Sequence, residues 1–158
     1  MSSFDPSTFL DVQVTGANDT KIIPIPVGEY LAVTSDVEIK TWQSQDDATK
    51  SGVKLVVMME VDPEARTPTG QTVKEVTGRD KNTVKTDIFL DTMPGGGLDM
   101  GKGKNVQLGR LREALGLNDP SQAFSFRQIP GRPIKVMLKH REYKGDMYAE
   151  VAGVAKPA

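Results

Sequence analysis

The residues with the clearest capacity for chemistry are cations and aromatic rings that share the outward sides of predicted strands and one hairpin loop. Lysine and arginine neutralise phosphates along a groove, and aromatic faces stack on unpaired bases of any identity. These residue types together predict a surface for single-stranded DNA. The candidate DNA-binding residues are Trp42, Lys50, Lys54, Lys85, Phe89, Lys135, Lys139, Arg141, Tyr143, Lys144 and Tyr148.

An alternative interpretation gives the same residues structural roles. Phe89 and Tyr148 would then pack beneath an N-terminal arm or a long loop, and the lysines would only make the surface soluble. A change of register by one residue moves every side chain of a strand to its other face, so the pattern leaves both interpretations open.

Features that could support catalysis or cofactor binding fail on residue type or spacing. Gly96 to Lys102 follows most of the phosphate-binding P-loop pattern, but Gly103 stands where the pattern needs serine or threonine. His140 is the only histidine and the chain has no cysteine, which leaves thiolate and multi-histidine metal sites without support. We expect no enzyme activity, no metal and no cofactor. Four carboxylates could be considered as magnesium ligands, but their spacing does not favour such a site: Asp46, Asp47, Asp87 and Asp91.

Composition predicts a single domain that spans residues 1–158. Hydrophobic residues make up 37% of the chain and charged residues 26%, which is ordinary for a globular protein. The start has no basic and apolar regions of a signal peptide, and no apolar run approaches the roughly 20 residues of a membrane span. The absence of cysteine fits a reducing compartment. We therefore expect a cytoplasmic protein with no membrane partner.

The net charge of −1 conceals an asymmetry along the chain. Residues 1–100 carry 9 Lys and Arg against 16 Asp and Glu, whereas residues 101–158 carry 11 against 5. The net charges of the two parts are therefore −7 and +6. A basic last third is the electrostatic footprint of phosphate binding, although it could equally be a solvated surface that balances the acidic part.

Alternating and helical periodicities predict five strands and one helix. In the first strand Leu31, Val33, Val37 and Ile39 share one parity, which predicts one apolar side. The helix carries an apolar stripe and is followed by Gly116 at the position of a C-terminal cap. The predicted strands span residues 28–40, 53–61, 83–90, 134–140 and 147–154, and the helix spans residues 104–115.

Three irregular segments complete the predicted domain. Residues 1–27 form an extended arm, in which Pro24 and Pro26 prevent ladder pairing. Residues 41–52 form a loop that begins at Trp42. Residues 62–82 form a long polar excursion between the second and third strands, and Gln71 to Val76 could add a short strand there.

The order of three strands, one helix and a final two-strand hairpin matches the oligonucleotide-binding fold, or OB-fold. This five-stranded barrel binds single-stranded nucleic acid or sugars on its second and third strands and on two neighbouring loops. The turn at Lys144-Gly145-Asp146 joins the last two strands. An SH3-like barrel or another α+β sheet remains an alternative.

Several motifs resemble a family of small bacteriophage proteins long classed as a domain of unknown function, some of which are assigned as single-stranded DNA-binding proteins with OB-folds. Phe4-Asp5-Pro6-Ser7-Thr8-Phe9 and the stretch from Ile23 to Ala32 are similar to the start of these proteins. Asn105 to Leu117 looks like the family's helix, and Gly131-Arg132-Pro133 is similar to a later segment. The resemblance implies a host-cell cytoplasmic phage protein. It carries over no defined DNA-contact residues.

Two function classes follow. The first is a largely sequence-independent single-stranded DNA-binding protein of phage replication or recombination, with replication or recombination proteins as further partners. Its Lys156-Pro157-Ala158 tail does not resemble the acidic, phenylalanine-ended tails that recruit partners in bacterial-type binders, which leaves recruitment by that route in doubt. The second is a structural or protein-interaction module of a virion or replication complex. Charge reversal at Lys139 and Arg141 would abolish only the first activity.

Overall fold

The protein is mainly β, with a five-stranded antiparallel sheet and few helices. The structure is a computed structural model that describes residues 4–47 and 49–157. Residues 1–3 of the predicted arm and Ala158 of the tail lie outside this range. No helix in the described ranges is long and apolar enough to cross a membrane. The elements are α1 (Pro6–Phe9), β1 (Gly28–Gln43), β2 (Ser51–Val61), α2 (Val73–Thr77), β3 (Asn82–Leu90), α3 (Val106–Ala114), a 3₁₀ turn (Phe126–Gln128), β4 (Pro133–Tyr143) and β5 (Asp146–Ala155).

The strands are hydrogen-bonded in the order β3-β2-β1-β4-β5. β1 is the central strand, and it pairs with β2 over most of its length and with β4 only from Gly28 to Val33. β3 and β5 are therefore the two edges. The faces predicted for the second, third and fourth strands are confirmed, because Leu55, Ile88 and Val136 are buried together with the residues of their own parity.

The predicted apolar side of β1 is wrong before the bulge and right after it, where Val37 and Ile39 pair with the core residues Val57 and Leu55. Tyr30, Ala32 and Thr34 face the core, whereas Leu31 and Val33 are exposed on the opposite side. The register with β2 shifts between Thr34 and Asp36, so β1 contains an irregularity of the β-bulge type at this point. A bulge inserts one residue and reverses the parity of everything after it. Apolar residues stand on both sides of β1, and the alternation alone could not show which side is buried.

The core lies between the sheet, α3 and the segments that connect them. α3 buries Leu108, Leu111 and Ala114, which confirms the predicted helix and its apolar stripe. Gly116 follows with φ 73°, a left-handed conformation that glycine adopts without steric cost and that ends the helix.

The predicted polar excursion at residues 62–82 is partly wrong, because it contains a helix and contributes to the core. Thr72 caps α2 by accepting a hydrogen bond from the Glu75 amide at 3.1 Å. Gly78, with φ 71°, ends the helix. Val73 is fully buried, and α2 replaces the strand suggested for this stretch. The combination of Thr72, Glu75 and Gly78 is a helix signature that the analysis of periodicity overlooked.

The N-terminal arm divides into an exposed part and a packed part. Residues 4–21 are exposed and include the single helical turn α1, so the arm is not extended throughout. Ile25 is buried, and its carbonyl oxygen lies 2.8 Å from His140 Nε2. Arg79 donates a hydrogen bond to the Ile23 carbonyl at 3.0 Å. These contacts attach residues 20–27 beside the starts of β3 and β5.

Thr34 fixes the bend of β1 to the chain before β4. Its side chain is only 1% exposed, and its hydroxyl donates to the Ile129 carbonyl and accepts from the Arg132 amide at 2.9 Å. Thr34→Val should lower the free energy of unfolding by about 1–3 kcal/mol, because it leaves these buried groups without a partner. Urea unfolding measures this loss. Thr41→Val, at an exposed position of the same strand, is the control, and an equal effect of both variants would contradict this role.

Candidate nucleic-acid interface

The outer face of the sheet carries a row of candidate residues that runs across three strands. Residues that pair directly across antiparallel strands project to the same side. Lys40 pairs with Lys54, and Lys54 pairs with Phe89. In the next row Trp42 pairs with Gly52. The bulge in β1 places Lys40 and Trp42 on this outer face, opposite to the face of Tyr30 and Ala32.

Trp42 and Phe89 pack edge to face. Their ring centroids are 5.6 Å apart and their planes meet at 89°. Gly52 makes this arrangement possible, because a Cβ atom there would lie only 2.8 Å from Trp42 Nε1. Trp42 is therefore half-buried at the end of β1, which corrects its predicted place in a loop. The loop itself is shorter than predicted, since β2 begins at Ser51.

The positive charges around these rings are largely compensated. Lys54 Nζ lies 3.0 Å from Asp87 Oδ2, and Lys40 Nζ lies 3.7 Å from a Glu38 carboxylate oxygen. The second oxygen of Asp87, Oδ1, is buried and has no hydrogen-bond partner among the described residues. The rings at this end of the sheet therefore offer apolar faces rather than net positive charge.

A groove of about 740 Å³ separates β3 from β5, and α3 borders it. We call it the β3/β5 groove. Residues 83–89 of β3 and residues 148–154 of β5 line its two sides. The groove brings together four predicted site residues from distant parts of the chain, and α3 adds one arginine to them. These five are Lys85, Phe89, Arg110, Arg141 and Tyr148.

The cations of the groove lack partners, whereas its carboxylates have them. Within residues 4–47 and 49–157, no carboxylate lies within 4 Å of Lys85, Arg110 or Arg141. The two acidic residues of the groove are Asp87, which pairs with Lys54, and Glu150, which lies 3.9 Å from Lys139. Uncompensated positive charge in a concave site raises the local concentration of anions.

The β4–β5 hairpin supplies a second pairing of rings and cations. Arg141 lies directly opposite Tyr148, which is half exposed. At the tip of the hairpin the Lys144 ammonium lies 5.3 Å from the centre of the Tyr143 ring. Lys144 and Gly145 both have positive φ, at 52° and 83°, which is the backbone that a tight two-residue hairpin turn requires. The predicted turn is confirmed.

Of the seven predicted site residues that do not line the groove, three also lie outside the outer-face row and the hairpin tip. Lys50 is exposed in the loop between β1 and β2, beside Asp47. Hydrogen bonds from the Thr49 hydroxyl and amide lower the pKa of Asp47, so the Asp47 carboxylate places a negative charge in this loop. Lys135 is half-buried and pairs with Leu31 and Ala155, outside the groove lining. Lys139 is the third. It does not line the groove itself, although its ammonium lies 3.9 Å from Glu150, which does.

Arg110 is a groove residue that sequence reasoning missed. It stands on the exposed side of α3, three positions after Gln107, which also lines the groove. Residues at this spacing lie on one helix face. The polar face opposite the stripe of Leu108 and Leu111 was the available signal. What it could not reveal is that this face borders β3 and β5.

The other candidate chemistries have structural roles. The glycine-rich stretch lies in a loop closed by mutual hydrogen bonds, from the Asp91 amide to Asn105 Oδ1 at 2.8 Å and from the Asn105 amide to Asp91 Oδ2 at 2.9 Å. His140 holds the arm through Ile25. The part of the chain that the structure describes contains no group of three or more acidic, histidine or cysteine residues arranged to hold a metal ion.

Comparisons with protein-family models and with curated proteins find no match to this chain. The resemblance to the phage family therefore rests on the motifs at the start, the helix and the turn before β4. The argument for function rests on the geometry of the groove and of the outer face.

Gly52 is required for the ring contact described above. Gly52→Ala should displace the Trp42 indole, since the new Cβ would meet it at 2.8 Å, and should remove an aromatic contact of about 0.5–1.5 kcal/mol. Trp42 is the only tryptophan, so intrinsic fluorescence reports the shift directly and urea unfolding reports the loss. Gly109→Ala in α3, where nothing lies within 4 Å, should leave the emission unchanged. Unchanged emission in Gly52→Ala would contradict the packing.

Proposed function

We propose that this protein binds single-stranded DNA, largely without regard to sequence, by stacking bases on exposed rings and neutralising phosphates with lysine and arginine. The observation that carries the proposal is the β3/β5 groove, where unpaired cations stand beside the exposed rings of Phe89 and Tyr148. Phosphates and base faces are common to every sequence, so such contacts bind without reading it.

The strand order supports an OB-type barrel as the fold behind this function. β1 pairs with both β2 and β4, β3 and β5 are the outer strands, and α3 lies between β3 and β4 in the chain. The starts of β3 and β5 border one cavity, so the two edges approach each other. OB-folds are partly open barrels that bind oligonucleotides on the face of strands 2 and 3. The row through Lys54 and Phe89 lies on that face.

The shape of the interface favours a single strand over a duplex. Phe89 is 53% exposed on a sheet face, and stacking on its ring requires a base that is free of its pairing partner. α3 buries one face in the core and lines the groove with Gln107 and Arg110. It is therefore not free to enter a major groove, as the helices that read duplex DNA do.

The biological role that fits this chemistry is the coating of exposed strands during phage replication or recombination. Proteins of those processes would be its partners. A structural or protein-interaction module is the competing role, and it predicts no affinity for single strands.

The decisive experiment is a titration with an unstructured labelled oligonucleotide and with a duplex of the same length, at low and high salt. Anisotropy of the label reports binding, and Trp42 emission reports DNA contact near the Trp42 and Phe89 rings. We expect tight binding to the single strand that weakens steeply with salt, and much weaker binding to the duplex. Absence of binding to the single strand at low salt would exclude the proposal and favour the interaction module.

Phe89 should contribute a large share of the affinity. Phe89→Ala should weaken binding about 5- to 150-fold, because stacking of one base is worth about 1–3 kcal/mol. Phe4→Ala is the matched control, since Phe4 is also exposed but lies in the N-terminal segment away from the groove. Oligonucleotide anisotropy measures both. Equal affinities of the two variants would remove Phe89 from the interface.

The cations of the groove should set the salt dependence. Lys85→Glu combined with Arg141→Glu should reduce the slope of log K against log salt by about 1.4, if each residue neutralises one phosphate of a single strand at about 0.7 each. Lys102→Glu combined with Arg127→Glu, at two exposed positions that do not line the groove, makes the same change of charge. A slope that falls equally in this control would show a general charge effect rather than phosphate contacts in the groove.

A further inference from the structure

The N-terminal segment contains a strand pattern that pairs with nothing in the structure. Leu10, Val12 and Val14 alternate with polar residues from position 10 to position 15, which is the period of a half-buried strand. In the structure these three side chains are 85%, 57% and 73% exposed, and the segment belongs to no strand. Apolar side chains spaced in this way are stabilised when one face of the segment is covered.

The fold also has two strand edges without partners. β3 and β5 each pair on one side only, and the free sides border the β3/β5 groove. An open edge presents amide and carbonyl groups that add a further strand. β3 has the more regular edge, because its ladder with β2 runs from Asn82 to Leu90 without a register shift. β5 is less regular, since its register with β4 shifts after Met137.

The N-terminal segment and the groove carry charges of opposite sign. Residues 4–19 contain three aspartates, Asp5, Asp11 and Asp19, and no lysine or arginine. The groove holds Lys85, Arg110 and Arg141 without carboxylate partners among the residues described. If Leu10, Val12 and Val14 face the core, Asp11 lies on the outer side of the added strand, the side on which Lys85 of β3 projects.

We propose that residues 10–15 of one copy of this chain add as a β-strand to the open edge of β3 in a second copy, and that two copies exchange their segments reciprocally. The arm borders the start of β3, and residues 85–90 of β3 follow that part. This stretch has six residues, as many as the added segment, and as a strand it is about 20 Å long. This inference does not depend on DNA binding.

The structure favours exchange between copies over a return of the segment to its own groove. Lys21 is attached at the β4–β5 turn, where its ammonium donates to the Gly145 carbonyl at 3.1 Å. Within the same chain residues 4–19 are exposed and line neither side of the groove. Reciprocal exchange covers both segments and both β3 edges in a closed twofold dimer, so neither a segment nor a β3 edge stays free to extend a chain of copies. Single-stranded DNA would have to displace the added strand from the groove.

The absence of cysteine allows a direct test of this contact. One preparation carries Gln13→Cys and a second carries Lys85→Cys, both in the full chain without DNA. After mixing, a short bis-maleimide should link the two variants into a covalent heterodimer. Ser121→Cys, exposed in the turn after α3, replaces Lys85→Cys in the control and should give at least several-fold less product. Equal yields in the two mixtures would overturn the proposed contact.

A second measurement tests the role of the strand in association. The full chain should sediment at about twice its monomer mass of 17.2 kDa, and Val12→Pro should return it to the monomer, because proline removes a backbone donor from the added strand. Asn18→Pro, outside the six residues, should leave the dimer intact. A full chain that remains monomeric at the highest soluble concentration, or a dimer that survives Val12→Pro, would overturn the proposal. Both measurements are made without DNA, so failure of this proposal is distinguished from failure of the proposed DNA binding.

Discussion

The bulge in β1 is the constraint on which the rest of the structure depends. β1 pairs with β4 before the bulge and with β2 on both sides of it, so this one strand connects the two halves of the sheet. The extra residue near Ser35 reverses the parity of the strand. Even-numbered residues face the core up to Thr34, and even-numbered residues face outward from Asp36. A regular strand would direct Trp42 into the core side and leave no ring pair on the outer face.

The bend also explains why the sheet ends in two strands that approach without pairing. The core residues of β1 and β2 bind the sheet to α3, and the hydroxyl of Thr34 ties the bend to the segment before β4. β3 and β5 then meet at the side away from β1 and enclose the groove between them. Backbone groups left unpaired at such edges favour a ligand or a further strand. The position of the groove is therefore a consequence of how the two edges of the sheet approach each other.

The sequence was sufficient for the parts of the fold that depend on local pattern. The five strands, the helix at α3 and the turn at Lys144 follow from alternation, periodicity and glycine, and the structure confirms them. The buried side of β1 did not follow, because Leu31 and Val33 are as apolar as the residues that are buried, and a bulge has no signal in such a strand. α2 was overlooked although its cap was present. The two sides of the groove, residues 83–89 and 148–154, are about 60 positions apart in the chain, and periodicity does not encode such contacts.

The charges of the groove are the strongest reason to assign it an anionic ligand. Asp87 and Glu150 also line the groove, but they pair with Lys54 and Lys139. Lys85, Arg110 and Arg141 therefore line the same concave space with no carboxylate within 4 Å of them among the described residues. Like charges in one cleft repel each other and lower stability, and a bound polyanion removes that repulsion. The proposed phosphate backbone would supply the negative charge that these three cations lack among the described residues.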